Sequence, residues 1–155
     1  MPGVSEFELE RLYRDQYRGF VRVATALLHD EERAVDAVQD AFAAALRNRR
    51  RYRGDGPLEA WVWRIVVNQA KKTRRRPDAP PLTDAEQEKH DLDPTPVREA
   101  VARLPERQRL VLFLRYYADL DYRQIAAILD IASGTVGATL RAAHCSLRDA
   151  LKEAL

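Results

Sequence analysis

The 155-residue chain has one cysteine, Cys145, and three histidines. A single thiol excludes an internal disulfide and fits a reducing compartment. His29, His90 and His144 are far apart and belong to no recognisable ligand pattern, so no metal site is expected. No apolar run approaches the roughly 18–20 residues of a membrane span, which argues against membrane insertion. The first residues are acidic and amphipathic, not a basic stretch followed by an apolar core. No secretory signal is therefore expected, and the expected location is cytoplasmic. The six glycines form no Walker loop, Rossmann fingerprint or nucleophile elbow, so neither a cofactor nor catalysis is expected. Alternating period-2 runs are missing as well, which leaves an all-α protein.

Charge is present in quantity but unevenly placed. The net +2 hides four blocks. Residues 1–44 carry five basic and nine acidic side chains, net −4, and 45–76 carry eleven and two, net +9. Residues 77–100 carry two and seven, net −5, and 101–155 eight and six, net +2. One concentrated basic block in a near-neutral chain points to a localised polyanion site.

Five of the eight prolines fall between Pro77 and Pro96 in an acidic stretch with few large apolar residues. Such a segment buries too little surface to offset its ordering entropy and reads as a flexible linker. The expected architecture is two small helical domains, 1–76 and 97–155, joined by the Pro-rich acidic linker 77–96. Each is near the lower size limit for an independent core.

In the first domain, Leu9, Leu12, Tyr13, Phe20, Val23, Ala24 and Leu27 mark an amphipathic helix over about residues 5–28. Asp30 is placed to cap a second helix with Val35, Val38, Phe42 and Ala45 inward. Glu32, Asp36 and Asp40, with Gln39 beside them, form an acidic ridge on the opposite face. That ridge is either a solvated face or a docking surface for a basic partner. After Gly54-Asp55-Gly56, Pro57 opens a third helix with Leu58, Trp61, Val62, Ile65 and Gln69 as the expected inward stripe. Arg64, Asn68, Lys71 and Arg75 line an adjacent face.

Arg47, Arg49, Arg50, Arg51 and Arg53 precede the Gly-rich loop, and Lys71, Lys72, Arg74, Arg75 and Arg76 end the third helix. Guanidinium groups hold phosphates bidentately, and aromatic faces stack on unpaired bases. Eleven cations against two anions, with Tyr52, Trp61 and Trp63 interleaved, favour nucleic-acid binding over basic residues that merely complement helix C-termini. Trp61 is assigned to the core, and Trp63 to stacking or strand separation.

In the second domain, a short helix near 96–103 precedes one from Pro105 to about Tyr117, with Leu110, Val111, Leu114 and Tyr117 inward. Residues 122–129 form an eight-residue helix, Asp130-Ile131-Ala132 a turn, and a last helix starts from Ser133 as N-cap. Val136, Leu140, Ala143, Leu147 and Leu151 are its expected buried stripe. This is a helix-turn-helix arrangement.

Together these segments resemble the extracytoplasmic-function sigma factors of bacterial RNA polymerase. AVDAVQDAFAAAL looks like the family's polymerase-docking helix, with Asp36, Gln39, Asp40 and Phe42 in matching places. WVWRIVVNQAKKTRRR is similar to its WLYRIAxNxxxDxxRR segment, matching at Trp61, Arg64, Ile65, Asn68, Arg75 and Arg76. LPERQRLVLFLRYYADLDYRQIAAILDIASGTV follows the pattern that begins Leu-Pro and ends Gly-Thr-Val.

The resemblance implies a first domain that docks on core RNA polymerase through Glu32, Asp36, Gln39 and Asp40. It also implies that this domain melts and reads the −10 element through Arg53, Trp63, Arg64, Asn68, Lys71, Arg75 and Arg76. The linker is expected to thread toward the active-site and RNA-exit channel, and an anti-sigma factor is an expected partner. The second domain would read duplex −35 DNA, with Arg115, Tyr122, Arg123, Ser133, Thr135 and Arg141 as contacts.

Two departures stand out. Lys72 occupies the usual place of Asp. Gly-Thr-Val, normally followed by Lys-Ser-Arg, is followed here by Gly137-Ala138-Thr139. The N-terminal turn of the reading helix therefore lacks long donors. The −35 contact is expected to be weak, shape-based, or carried by Arg115, Tyr122, Arg123 and the helix N-terminus. The alternatives to a promoter-directing sigma factor are a sigma-like adaptor that binds polymerase or a regulator without opening promoters, and a free-standing helix-turn-helix DNA-binding regulator.

Overall fold

The computed structural model describes residues 3–75 and 95–154. The described residues are helical with no strand, and the chain divides into two compact units, Met1–Pro81 and Leu82–Leu155. Most of the proposed linker, with Arg76 before it, lies outside the described residues.

The first unit is a bundle of α1 (Glu6–Leu28), α2 (Glu31–Arg47) and α3 (Leu58–Arg74), each packed on the other two. Ser5 and Glu8 form a reciprocal capping box, which satisfies two amide donors at the start of α1. His29 ends α1 in the left-handed region at φ 55°, and the Asp30 carboxylate accepts from Arg33 N at 3.3 Å to start α2. Leu9, Leu12, Phe20, Val23, Ala24 and Leu27 are buried as their spacing predicts, whereas Tyr13 is half-buried. Burial and the neighbouring Tyr17 raise the Tyr13 phenol above its ordinary pKa. On α2 the alanines 34, 37, 41 and 45 join Val38 and Phe42 in the core, while Val35 is only half-buried.

The buried face of α3 differs from the expected one. Val62, Trp63, Val66, Val67, Ala70 and Thr73 are buried; Leu58, Trp61, Ile65 and Gln69 are half-buried. The apolar triplets at 61–63 and 65–67 allow two adjacent stripes. Contact with both α1 and α2 selects the one centred on Val62, Trp63 and Val66.

The second unit contains α4 (Pro96–Ala102), α5 (Glu106–Tyr116), α6 (Tyr122–Leu129) and α7 (Ser133–Ala154). α7 packs on the other three. The Thr95 hydroxyl caps α4 by accepting from Arg98 N at 3.2 Å. Leu110, Val111, Leu112 and Leu114 are buried on α5, but Tyr117 is 47 % exposed, against its expected inward position. The helix stops at Tyr116, and a turn through Asp119 (φ 54°) sends Leu120 inward instead. Arg109 is buried and donates through Nη1 to the Ala102 carbonyl at 2.9 Å, holding α4 on α5. Desolvation pulls its guanidinium below the ordinary pKa, partly opposed by Glu106.

α6 and α7 turn by 102°, within the range of a helix-turn-helix. Asp130 closes α6 at φ 57°, and the Ala126 carbonyl accepts from both Asp130 N and Ile131 N. Ser133 is not the N-cap. The Ala132 carbonyl accepts from Thr135 N and Val136 N, so the hydrogen-bond ladder begins one residue earlier and Ser133 is the first helical residue. Val136, Leu140 and Ala143 are buried, whereas Leu147 and Leu151 are half-buried.

Candidate nucleic-acid interface

In the first unit the loop between α2 and α3 is folded back on itself. The Tyr52 hydroxyl donates to the Gly56 carbonyl, and the Tyr52 ring lies 5.6 Å from Trp61 at 53°. Gly54 supplies the loop's reversal at φ 79°. Arg53 and residues 54–56 are exposed beside this aromatic pair. Trp61 then heads a helical face that continues through Arg64, Asn68, Lys71 and Arg75. Arg64, Asn68 and Arg75 are exposed and Lys71 is half-buried. A half-buried aromatic face followed by cations one turn apart can stack an unpaired base and hold the phosphates next to it.

Trp63 does not belong to this surface. Its ring is fully buried, 4.4 Å from Phe20, and its indole N–H donates to Gln16 Oε1 at 3.2 Å. The assignment of the two tryptophans is therefore reversed: Trp63 is core, and Trp61, supported by Tyr52, is the aromatic residue available at the loop. Sequence reasoning missed this because α3 is apolar at both positions. The one available signal was that Trp61, not Trp63, is in helical register with Arg64 and Asn68.

The basic block is also smaller than its composition implies. Arg49, in the 3-10 turn Arg49–Arg51, donates to the Leu46 carbonyl at 3.1 Å and lies 3.5 Å from Glu6. Its own carbonyl accepts from Val4 N at 3.1 Å, so this arginine fastens the chain start to the bundle. Arg50, Arg51 and Arg53 remain at the surface, Arg50 and Arg51 following Arg49 in the same turn. At the far end of α3, Arg33 donates to the Thr73 carbonyl at 3.2 Å and so satisfies a terminal acceptor.

Glu32, Asp36, Gln39 and Asp40 lie on the outer face of α2, away from its buried alanine stripe. Phe42, by contrast, is buried, with Tyr13 at 4.8 Å and Phe20 at 5.2 Å. The ridge thus presents polar contacts, fixed in place by the aromatic core beneath it.

In the second unit Tyr122, Arg123, Ser133, Thr135 and Arg141 are exposed, and Arg115 is half-buried. Arg115 donates to the Leu120 carbonyl at 3.3 Å and sits 3.7 Å from Asp119, so much of its donor capacity braces the turn before α6. The Thr139 hydroxyl donates to the Thr135 carbonyl at 2.7 Å and is spent on its own helix. Arg141 and Arg148, with Lys152 in the last turn, are long donors on the outer side of α7.

The first unit is thus a small helical bundle with an acidic ridge and a basic aromatic face, and the second a helix-turn-helix unit. Residues 12–79 match the sigma-70 region 2 family and residues 95–143 the sigma-70 region 4 family. The chain is 30 % identical over 151 residues to the RNA polymerase sigma-H factor of Pseudomonas aeruginosa, covering 83 % of this chain and 78 % of that one. It is 31 % identical over 137 residues to the ECF RNA polymerase sigma factor SigM of Mycobacterium tuberculosis, covering 84 % and 70 %. In fold it resembles the sigma factor RpoE of Bartonella quintana, solved with the anti-sigma factor NepR, at a TM-score of 0.72 and 21 % identity over 94 % of this chain and 97 % of that one. CnrH, solved with the cytosolic domain of CnrY, gives a TM-score of 0.68 at 21 % identity over 96 % and 90 %. The chain belongs to the extracytoplasmic-function sigma factors, a family of non-enzymatic transcription-initiation factors.

Proposed function

We propose that this protein binds core RNA polymerase and directs it to specific promoters, with no catalytic activity of its own. Residues 1–76 dock on polymerase and open and read the −10 element. Residues 77–96 link the two domains, and 97–155 read the −35 element. Glu32, Asp36, Gln39 and Asp40 are the polymerase contact. Arg53, Arg64, Asn68, Lys71, Arg75 and Arg76 hold the opened strand, with Trp61 in the role first given to Trp63. Arg115, Tyr122, Arg123, Ser133, Thr135 and Arg141 serve the duplex element. An anti-sigma factor is a further partner, in keeping with the complex of the structurally similar RpoE with the anti-sigma factor NepR. The site of action is the cytoplasm, where the polymerase works.

The observation that carries this reading is the single face Trp61–Arg64–Asn68–Lys71–Arg75 beside the loop closed by Tyr52. It joins a stacking platform to phosphate-binding groups on a rigid helix. Run-off transcription with purified core polymerase tests it: a promoter-specific transcript should require this protein. Polymerase binding without a transcript favours the adaptor role, and no polymerase binding at all overturns the assignment.

A further inference from the structure

The reading helix α7 opens with Ser133, Gly134, Thr135, Val136, Gly137 and Ala138, and its first long donor is Arg141. Gly137 is not required by its backbone, because it lies inside a regular helix, where glycine costs about 1 kcal/mol relative to alanine. Its surroundings supply a different reason. A Cβ placed on Gly137 would stand 3.4 Å from Cε2 of Tyr122 and 3.9 Å from its Cδ2. Gly134, one turn earlier, has nothing within 4 Å. The Tyr122 ring edge therefore covers the position from which a side chain at 137 would project.

The ring is held there from the other helix. Tyr122 is the first residue of α6, and Asp121 and Gln124 cap that turn reciprocally, each backbone N–H donating to the other's side chain at 2.8 Å. Capping at both ends of the exchange fixes the turn that carries the ring. Tyr122 is nevertheless 46 % exposed, so the ring is not absorbed into the core. Arg141 follows Gly137 by four residues on the same side of α7 and is exposed.

We infer that Tyr122 is a specificity-determining residue, whose ring replaces the missing side chain of residue 137 as an apolar contact to base edges in the major groove. The inference rests on the DNA-reading role proposed for the second unit. The base feature suited to an aromatic edge is the thymine 5-methyl group, since the ring carbons offer no hydrogen bond to a purine edge. Arg141 then anchors the helix one turn further along.

Holoenzyme assembled from core polymerase and this chain can be assayed for affinity on promoter duplexes randomised across the −35 element. Tyr122→Ala should reduce the wild-type preference about tenfold at one or two adjacent base pairs, and Tyr122→Phe should retain it. Replacing thymine by uracil at those pairs should weaken the wild type and leave Tyr122→Ala unaffected. Gly137→Lys, which sets a long side chain against the ring, should alter preference at the same pairs. Uniform loss on all sequences in Tyr122→Ala, unchanged preference, or a Gly137→Lys effect confined to other pairs each overturns the inference. A wild-type holoenzyme indifferent to the whole upstream element overturns the DNA-reading role with it, whereas a wild-type preference untouched by Tyr122→Ala overturns this inference alone.

Discussion

Trp63 on α3 donates its indole N–H to the Gln16 side-chain oxygen on α1 at 3.2 Å, with its ring fully buried against Phe20. The two tryptophans of α3 should therefore separate stability from function. Trp63→Ala leaves a large cavity and an unpaired acceptor, and should cost about 3–5 kcal/mol, enough to unfold much of a small domain. Trp61→Ala, at a half-buried site, should cost far less while slowing promoter opening. Urea denaturation followed by circular dichroism measures the first effect, and open-complex kinetics the second. Equal destabilisation by both substitutions would contradict the assignment.

The acidic ridge predicts a different separation. Asp36 and Asp40 lie on the outer face of α2, and isolated surface charges contribute little to stability. Asp36→Arg combined with Asp40→Arg should leave the helical content and melting temperature near wild type. Affinity for core polymerase, measured by fluorescence titration, should fall at least tenfold. Unaltered affinity would make the ridge an ordinary solvated face.

Arg64 and Arg75 are expected to hold phosphates of the opened strand. Removing one such cation from a single-stranded DNA site should reduce the slope of log K against log salt by about 0.7. Arg64→Ala and Arg75→Ala can be measured in holoenzyme binding to forked promoter templates. Slopes identical to wild type would remove both residues from the interface.

Arg109 joins α4 to α5 through the Ala102 carbonyl. Arg109→Ala removes that donor together with a buried aliphatic stem, and should cost about 2 kcal/mol. For a domain of this size that corresponds to a melting temperature lowered by roughly 8–16 °C, measurable by calorimetry.

Much of this organisation is legible in the sequence because it depends on local rules. Asp30 caps α2, the turn at Asp130 separates α6 from α7, and the α1 core residues recur at helical spacing. The acidic ridge is legible for the same reason, since a one-sided polar face on a helix is a matter of angle alone. The failures come where tertiary contact decides. Either stripe of α3 satisfies helical periodicity, and only packing against two helices places Trp63 inside and Trp61 at the loop. Tyr117 lies in register with the buried face of α5, but the helix ends before it and Leu120 turns in instead. The ring of Tyr122 over Gly137 joins residues on different helices, so no periodicity within either could reveal it. Likewise, composition counts Arg49 and Arg115 among the available cations, while the structure spends them on the chain start and the α5–α6 turn.

The central claim is that the first unit, bound to polymerase, opens promoter DNA with the face led by Trp61. Permanganate reactivity of −10 thymines on a duplex promoter tests it most directly. The account predicts reactive thymines only when core polymerase and this protein are both present, and their loss when Trp61→Ala and Arg64→Ala are combined in a protein that still binds core. Stable promoter binding by the wild-type holoenzyme with no protein-dependent thymine reactivity would contradict it.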